Sequence, residues 1–288
     1  VVQDDRKAID WYQKSAAQEN VDAQNSLGFM YREGRGVVQD DRKAIDWYQK
    51  SAAQGNVDAQ NSLGFMYREG RGVVQDDRKA IDWYQKSAAQ GNASAQYSLG
   101  VIYKNGRGVA QDDRKAIEWF QKSAEKGNAS AQNNLGFMYR DGRGVVQDDR
   151  KALEWYQKAA EQGHAGAQYS LGTMYYNGRG VAQDDRKVVE WYQKAAGQGN
   201  ANAQYMLGFM YREGRGVAQD DRKAVEWYQK AAEKGDVDAQ YSLGWMYYNG
   251  RGVAQDYAKA LEWFQKAAAQ GNASALYSLG VIYKNGLA

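Results

Sequence analysis

The residues best suited by type to do chemistry recur as a block, Asp-Asp-Arg-Lys, at 4–7, 40–43, 76–79, 112–115, 148–151, 184–187 and 220–223. Adjacent carboxylates beside two cations could form an acid/base pair. Their placement argues for a plainer role. Each block opens a helix-forming stretch, where the first Asp accepts backbone N–H bonds and the second adds favourable charge in the first turn. His164 is the one histidine, set in Gly-His-Ala-Gly where most copies place Asn. It reads as a helix cap, with a lone ligand or base as the alternative. The chain has no cysteine, which removes disulfides, thiolate chemistry and cysteine-bound metals and leaves the redox compartment undetermined. A Ser–His triad or a histidine metal site has almost nothing to build with. The recurrent Gly-Arg-Gly is no phosphate loop, because it joins helix to helix and no Lys-Ser pair follows. Asn92-Ala93-Ser94, Asn128-Ala129-Ser130 and Asn272-Ala273-Ser274 satisfy the N-glycosylation rule, but each Asn sits where a helix needs a cap. No catalytic group emerges. The sequence predicts a non-enzyme with no metal and no cofactor.

A repeat positions all of these residues. Val1, Val37, Val73, Val109, Val145, Val181, Val217 and Val253 each open a 36-residue copy, and 288 residues hold eight of them. Copies 1–36 and 37–72 differ only at Glu19 against Gly55, which points to recent duplication or deliberate design. In copy 37–72 a first helix, B, runs from the Asp40 cap to about Gln54, and Gly55 can take the left-handed conformation that closes it. Ala44, Tyr48 and Ala52, flanked by Ile45, Trp47 and Ser51, give B an apolar face wide enough to touch neighbours on two sides. A second helix, A, starts after Asn56, ends at Gly70 and buries Ala59, Leu63, Met66 and Tyr67. Gly64 costs about 1 kcal/mol of helix propensity relative to Ala. Its return in every Leu-Gly pair implies that another backbone approaches there.

Strand alternation is absent, so the fold class is all-α. Each helix pair is too small to bury its apolar face alone, and the copies must lean on their neighbours as a right-handed α-solenoid of antiparallel pairs. Hydrophobic residues make up 43% and no run reaches about 18, so no bilayer span is expected. Lys and Arg number 38 against 35 Asp and Glu, spread evenly, a poor footprint for nucleic acid. No charged-then-apolar leader opens the chain. It starts on Val1 rather than Met, which suggests a fragment, a processed chain or an engineered one.

One copy shows a family pattern clearly: Ala203, Leu207, Gly208, Met210, Tyr211, Gly214, Gly216 and Val217, then Asp220, Lys223, Ala224, Trp227, Tyr228, Ala231, Ala232 and Gly235. It resembles the Sel1-like repeat, a relative of the tetratricopeptide repeat, over the whole chain. The resemblance implies seven complete units over 23–274, an unpaired helix B over 1–22 and an unpaired helix A over 275–288, together a single solenoid over 1–288. It implies adaptor work: scaffolding of other proteins, with no partner specified. Two departures stand out. The family often places proline after Gly-Val, where this chain has Val38, Val74 and Ala110, and its cysteine-rich branch staples each pair with a disulfide.

Differences between copies gather on helix A. One variable position reads Phe29, Phe65, Val101, Phe137, Thr173, Phe209, Trp245 and Val281. At ~100° per residue it lies away from the buried stripe. Tyr97, Tyr169, Tyr205 and Tyr241 precede it by four; Arg32, Arg68, Arg140, Tyr176, Arg212 and Tyr248 follow by three. By resemblance these line a concave side, and they are residue types enriched in binding hot spots. The expectation is a ladder that binds a peptide or a partner protein, with ordinary packing of the tyrosines against the next repeat as the plainer reading. A second expectation concerns the two unpaired helices. Ile9, Trp11 and Tyr12 at one end, with Leu279, Ile282 and Tyr283 at the other, would join copies head to tail into a filament.

Overall fold

The computed structural model describes residues 4–287, and among these it holds sixteen α-helices and no strand. They fall into two compact units, Val1–Gln147 and Asp148–Ala288. The first contains α1 (Asp5–Ala16), α2 (Val21–Glu33), α3 (Asp41–Ala53), α4 (Val57–Glu69), α5 (Asp77–Ala89), α6 (Ala93–Asn105), α7 (Asp113–Glu125) and α8 (Ala129–Asp141). The second contains α9 (Asp149–Glu161), α10 (Ala165–Asn177), α11 (Asp185–Gly197), α12 (Ala201–Glu213), α13 (Asp221–Glu233), α14 (Val237–Asn249), α15 (Tyr257–Ala269) and α16 (Ala273–Lys284). Odd helices are of type B and even helices of type A.

Local chemistry sets the boundaries. Asp40 Oδ1 accepts from the Lys43 N–H at 3.0 Å, and these bonds hold its carboxyl below the usual range. Asn56 Oδ1 caps α4 through the Ala59 N–H at 2.9 Å. Gly70, at φ 67°, closes the same helix in the left-handed region. Glu19 occupies that region at φ 62° where the next copy has Gly55, a strained position for a residue with a Cβ.

The second Asp of each block does more than favour the helix start. Arg71, from Gly-Arg-Gly, donates from Nε and Nη2 to Asp41 at 3.1 and 2.8 Å. The same bidentate clamp joins Arg35 to Asp5, Arg143 to Asp113, Arg179 to Asp149 and Arg251 to Asp221. In the last copy both partners change together. Tyr257 stands in place of Asp and Leu287 in place of Arg, and Tyr257 packs edge-on against Tyr248 at 5.4 Å.

Each core lies within a pair and is closed by the next one. Ala44, Tyr48 and Ala52 of α3 and Ala59, Leu63 and Met66 of α4 form one cluster, with Trp83 of the following α5 packed against it. The Leu-Gly glycine answers first to an aromatic side chain, which the sequence expectation did not name, while the expected backbone approach is seen at Gly208 and Gly244, where the Ala224 and Ala260 carbonyls lie 3.2 and 3.3 Å from an added Cβ. A methyl group on Gly64 would lie 2.6 Å from Cδ1 of Tyr84. Phe120 sits on Gly100, Tyr192 on Gly172, Tyr228 on Gly208 and Phe264 on Gly244 in the same way. Burial pushes the phenols of Tyr48 and Tyr84 up, so these rings stay neutral. Polar rungs accompany the rings. Ser87 Oγ donates to the Val57 carbonyl at 2.7 Å, and Gln90 Nε2 donates to Gln60 Oε1 at 2.8 Å.

Candidate protein-binding face

Type A helices carry the variable positions, and in the first unit α2, α4 and α6 stand side by side. The Arg32 guanidinium lies 5.4 Å from the Phe29 ring and 5.9 Å from the Phe65 ring, so one cation spans two adjacent helices. Arg68 covers Phe65 at 5.4 Å, and Arg140 covers Phe137 at 5.1 Å. Each arginine also pairs with the next residue: Arg32 with Glu33 at 2.7 Å, Arg68 with Glu69 at 2.6 Å and Arg140 with Asp141 at 2.7 Å. Lys104 has Asn105 there instead. Its ammonium donates to Asn134 Oδ1 at 3.0 Å, and burial with the nearby Arg143 lowers its pKa.

An open groove of about 400 Å³ brings Arg32, Phe65, Arg68 and Tyr97 together, with Asn61 in its wall. Asn61 Oδ1 and Asn133 Oδ1 are shielded from solvent and receive no hydrogen bond within the chain. Phe29 lines a neighbouring groove of about 450 Å³ with Asn25, Arg35 and Tyr48.

The second unit uses different chemistry. Tyr241, Trp245 and Tyr248 share a groove of about 240 Å³ with Phe264 and Tyr277. Arg251 covers Trp245 at 5.4 Å, Arg212 covers Phe209 at 5.4 Å, and Arg215 covers Tyr176 at 4.6 Å. Arg212 pairs with Glu213 at 2.7 Å. The tyrosines four residues before the variable site have a packing role. Tyr169 stacks on Tyr192 at 5.6 Å, and Tyr97 packs tilted on Phe120 at 5.8 Å, Tyr205 on Tyr228 at 5.8 Å and Tyr241 on Phe264 at 5.6 Å. All four are half-buried against the next helix, and Tyr97 and Tyr241 also line the grooves.

The end residues divide. Ile9 is 4% exposed, in a core with Ala23, Leu27 and Met30 of α2, and Ile282 is fully buried under α15. Both are corrected: their own pair partner covers them, and they present nothing outward. Trp11 is 69% exposed and Tyr283 58%, with Tyr12 also exposed and Leu279 half-buried. Leu276 and Tyr277 are exposed as well.

His164 is a cap. Its Nδ1 accepts from the Ala167 N–H at 3.1 Å, and burial pulls its pKa below the ordinary 6.5. The folded state therefore favours the neutral ring. The cap's stability contribution is complete above about pH 6.5 and is lost as pH falls through the lowered folded value. His164→Asn is expected to remove this acid-side loss, about 1 kcal/mol for a helix cap, read by urea unfolding at pH 7 and pH 5. Among the described residues no group of three or more His, Cys, Asp or Glu could hold a metal ion. No helix is long and apolar enough to cross a membrane.

Helix pairs of one size, joined by a recurring ring-on-glycine contact, define a helical repeat protein of the solenoid type. The particular family follows from the sequence match. The chain belongs to the Sel1 repeat family, matching the Sel1 repeat at 1–20, 21–56, 57–92, 93–128, 129–164, 165–200, 201–236, 237–272 and 273–288. Repeats of this class typically serve as non-catalytic scaffolds for protein–protein interaction. Among solved structures the chain is similar to a protective antigen present in uropathogenic Escherichia coli strains that displays an SLR fold, with 42% identity and a TM-score of 0.88. That match covers 96% of this chain, which spans 59% of the length of the antigen. A Sel1 repeat protein from Oxalobacter formigenes is 39% identical, with a TM-score of 0.78, covering 95% of this chain and 79% of that one. No curated protein matches the chain significantly.

Proposed function

We propose that this chain is a non-catalytic scaffold that captures an extended segment of a partner protein along its type A helices. The observation that carries this is the Arg32 guanidinium within reach of both the Phe29 and Phe65 rings, in a groove it shares with Phe65, Arg68 and Tyr97. Phe and Arg provide apolar area and charged donors together. The segment that fits the first unit is extended and mixes acidic with apolar side chains. The second unit, through Tyr241, Trp245 and Tyr248, takes apolar side chains. Selection from a displayed peptide library tests this. Acidic-apolar peptides are expected to be enriched and to lose binding to a Phe65→Ala/Arg68→Ala variant of unchanged helicity. A Phe209→Ala/Trp245→Ala/Tyr248→Ala variant is expected to lose capture by the second unit. Retention of binding by both variants contradicts the assignment.

A further inference from the structure

In the first unit, α2, α4 and α8 each carry in their last turn a cation that is already matched. Arg32, Arg68 and Arg140 lie over the ring three residues earlier, Phe29, Phe65 and Phe137, at 5.4, 5.4 and 5.1 Å. Each also pairs with the carboxylate that follows it, Glu33, Glu69 or Asp141, at 2.7, 2.6 and 2.7 Å. Helix α6 departs from this pattern at every partner. Val101 stands in place of the ring, Lys104 in place of the arginine and Asn105 in place of the carboxylate. The surroundings change with them. Asn134 replaces the serine of the two preceding copies, Ser62 and Ser98, and its Oδ1 accepts from the Lys104 ammonium at 3.0 Å.

These changes leave one cation without a carboxylate. Lys104 is half-buried and forms no ion pair among the described residues, and its ammonium lies 5.7 Å from the Phe137 ring. Arg140 and Arg143 approach the same ring at 5.1 and 5.9 Å, but Asp141 and Asp113 already pair with them at 2.7 and 2.9 Å. Three cations around one ring therefore meet two carboxylates, and a single positive charge is left over. Burial and Arg143 hold the Lys104 pKa below its ordinary value, so a carboxylate brought to the ammonium relieves an unfavourable charge. Access is set by the repeat. Arg68, Tyr97 and Ser98 line the open groove, and Lys104, Asn133 and Asn134 are their counterparts one helix further along. We infer, given capture along the type A helices as proposed above, that Lys104 is the specificity-determining cation of the first unit and takes one Asp or Glu side chain of the bound segment.

Selection of peptides displayed through their C-termini, which removes the terminal carboxylate, tests this on the 288-residue chain and three variants. Lys104→Gln keeps a donor for Asn134 and removes the charge. Asn105→Glu keeps the lysine and gives it the acidic neighbour that the arginines have, at an exposed position where folding is undisturbed. Phe65→Ala/Arg68→Ala identifies which selected peptides use the first unit. Those peptides are expected to carry an acidic residue. Changing it to the amide is expected to weaken binding to wild type about tenfold, near the low end for a hydrogen bond to a charged group. On Lys104→Gln and on Asn105→Glu the acidic peptide and its amide are expected to bind alike. An amide penalty as large on both variants as on wild type overturns the inference while capture itself stands. So does a selected set without acidic residues. Failure of wild type to select any peptide that depends on Phe65 and Arg68 removes the capture reading, and the role of Lys104 with it.

Discussion

Phe120→Ala is expected to lower the stability of the first unit by about 3–5 kcal/mol, the range for emptying a large aromatic site in a packed core. Phe120 is fully buried, seated on Gly100 and packed at a tilt against Tyr97. Truncation leaves a void that two helices line, and neither closes it without shifting its own next neighbour. Urea unfolding followed by circular dichroism gives the value. Because the contact joins successive pairs, the loss is expected to appear also as faster amide exchange in α6 and α7, with smaller changes in α2. A loss below about 1 kcal/mol would mean that the ring contributes little to holding the pairs together.

Gly64→Ala is expected to destabilise by about 1–3 kcal/mol, as overpacking does, although Ala is the better helix former by about 1 kcal/mol. The added methyl would meet the Tyr84 ring at 2.6 Å, and that ring is itself buried. Gly280 is the built-in control, since an added methyl there meets nothing within 4 Å. Gly280→Ala is therefore expected to stabilise the isolated chain slightly. Opposite signs at two glycines of the same motif, read from thermal midpoints at low concentration, distinguish packing from propensity.

Much of the fold is legible in the sequence because its signals are local. Asp40 and Asn56 precede apolar-periodic stretches, and Gly70 follows one, so caps and helix limits are readable. The Leu63 and Met66 stripe has helical spacing and is buried. Other features depend on groups far away along the chain. Gly64 signals a close approach, but nothing local reveals that a ring twenty residues on makes it. The Arg71 clamp on Asp41 spans thirty residues, and as a sequence Gly-Arg-Gly reads only as a turn.

The ends show the same limit. A wide apolar face on helix B reads as one surface, yet it divides between two neighbours. Ile9 faces its own partner α2 and is covered, whereas Trp11 and Tyr12 face the side a preceding pair would occupy. On the candidate binding face, residue types alone select the Phe and Arg ladder. They do not separate Tyr97, which half-serves packing on Phe120, from Phe29, whose ring lies under a cation.

Contacts within each pair and with the adjacent pairs hold these helices together, and excising one copy tests that most directly. Deleting residues 37–72 rejoins the chain in register, because residues 1–36 differ from that copy only at Glu19 against Gly55. The shortened chain is expected to stay helical and monomeric at low concentration, with a urea m-value reduced by about one eighth and a modestly lower midpoint. Collapse of the remaining helices on removal of that one copy would contradict nearest-neighbour stacking.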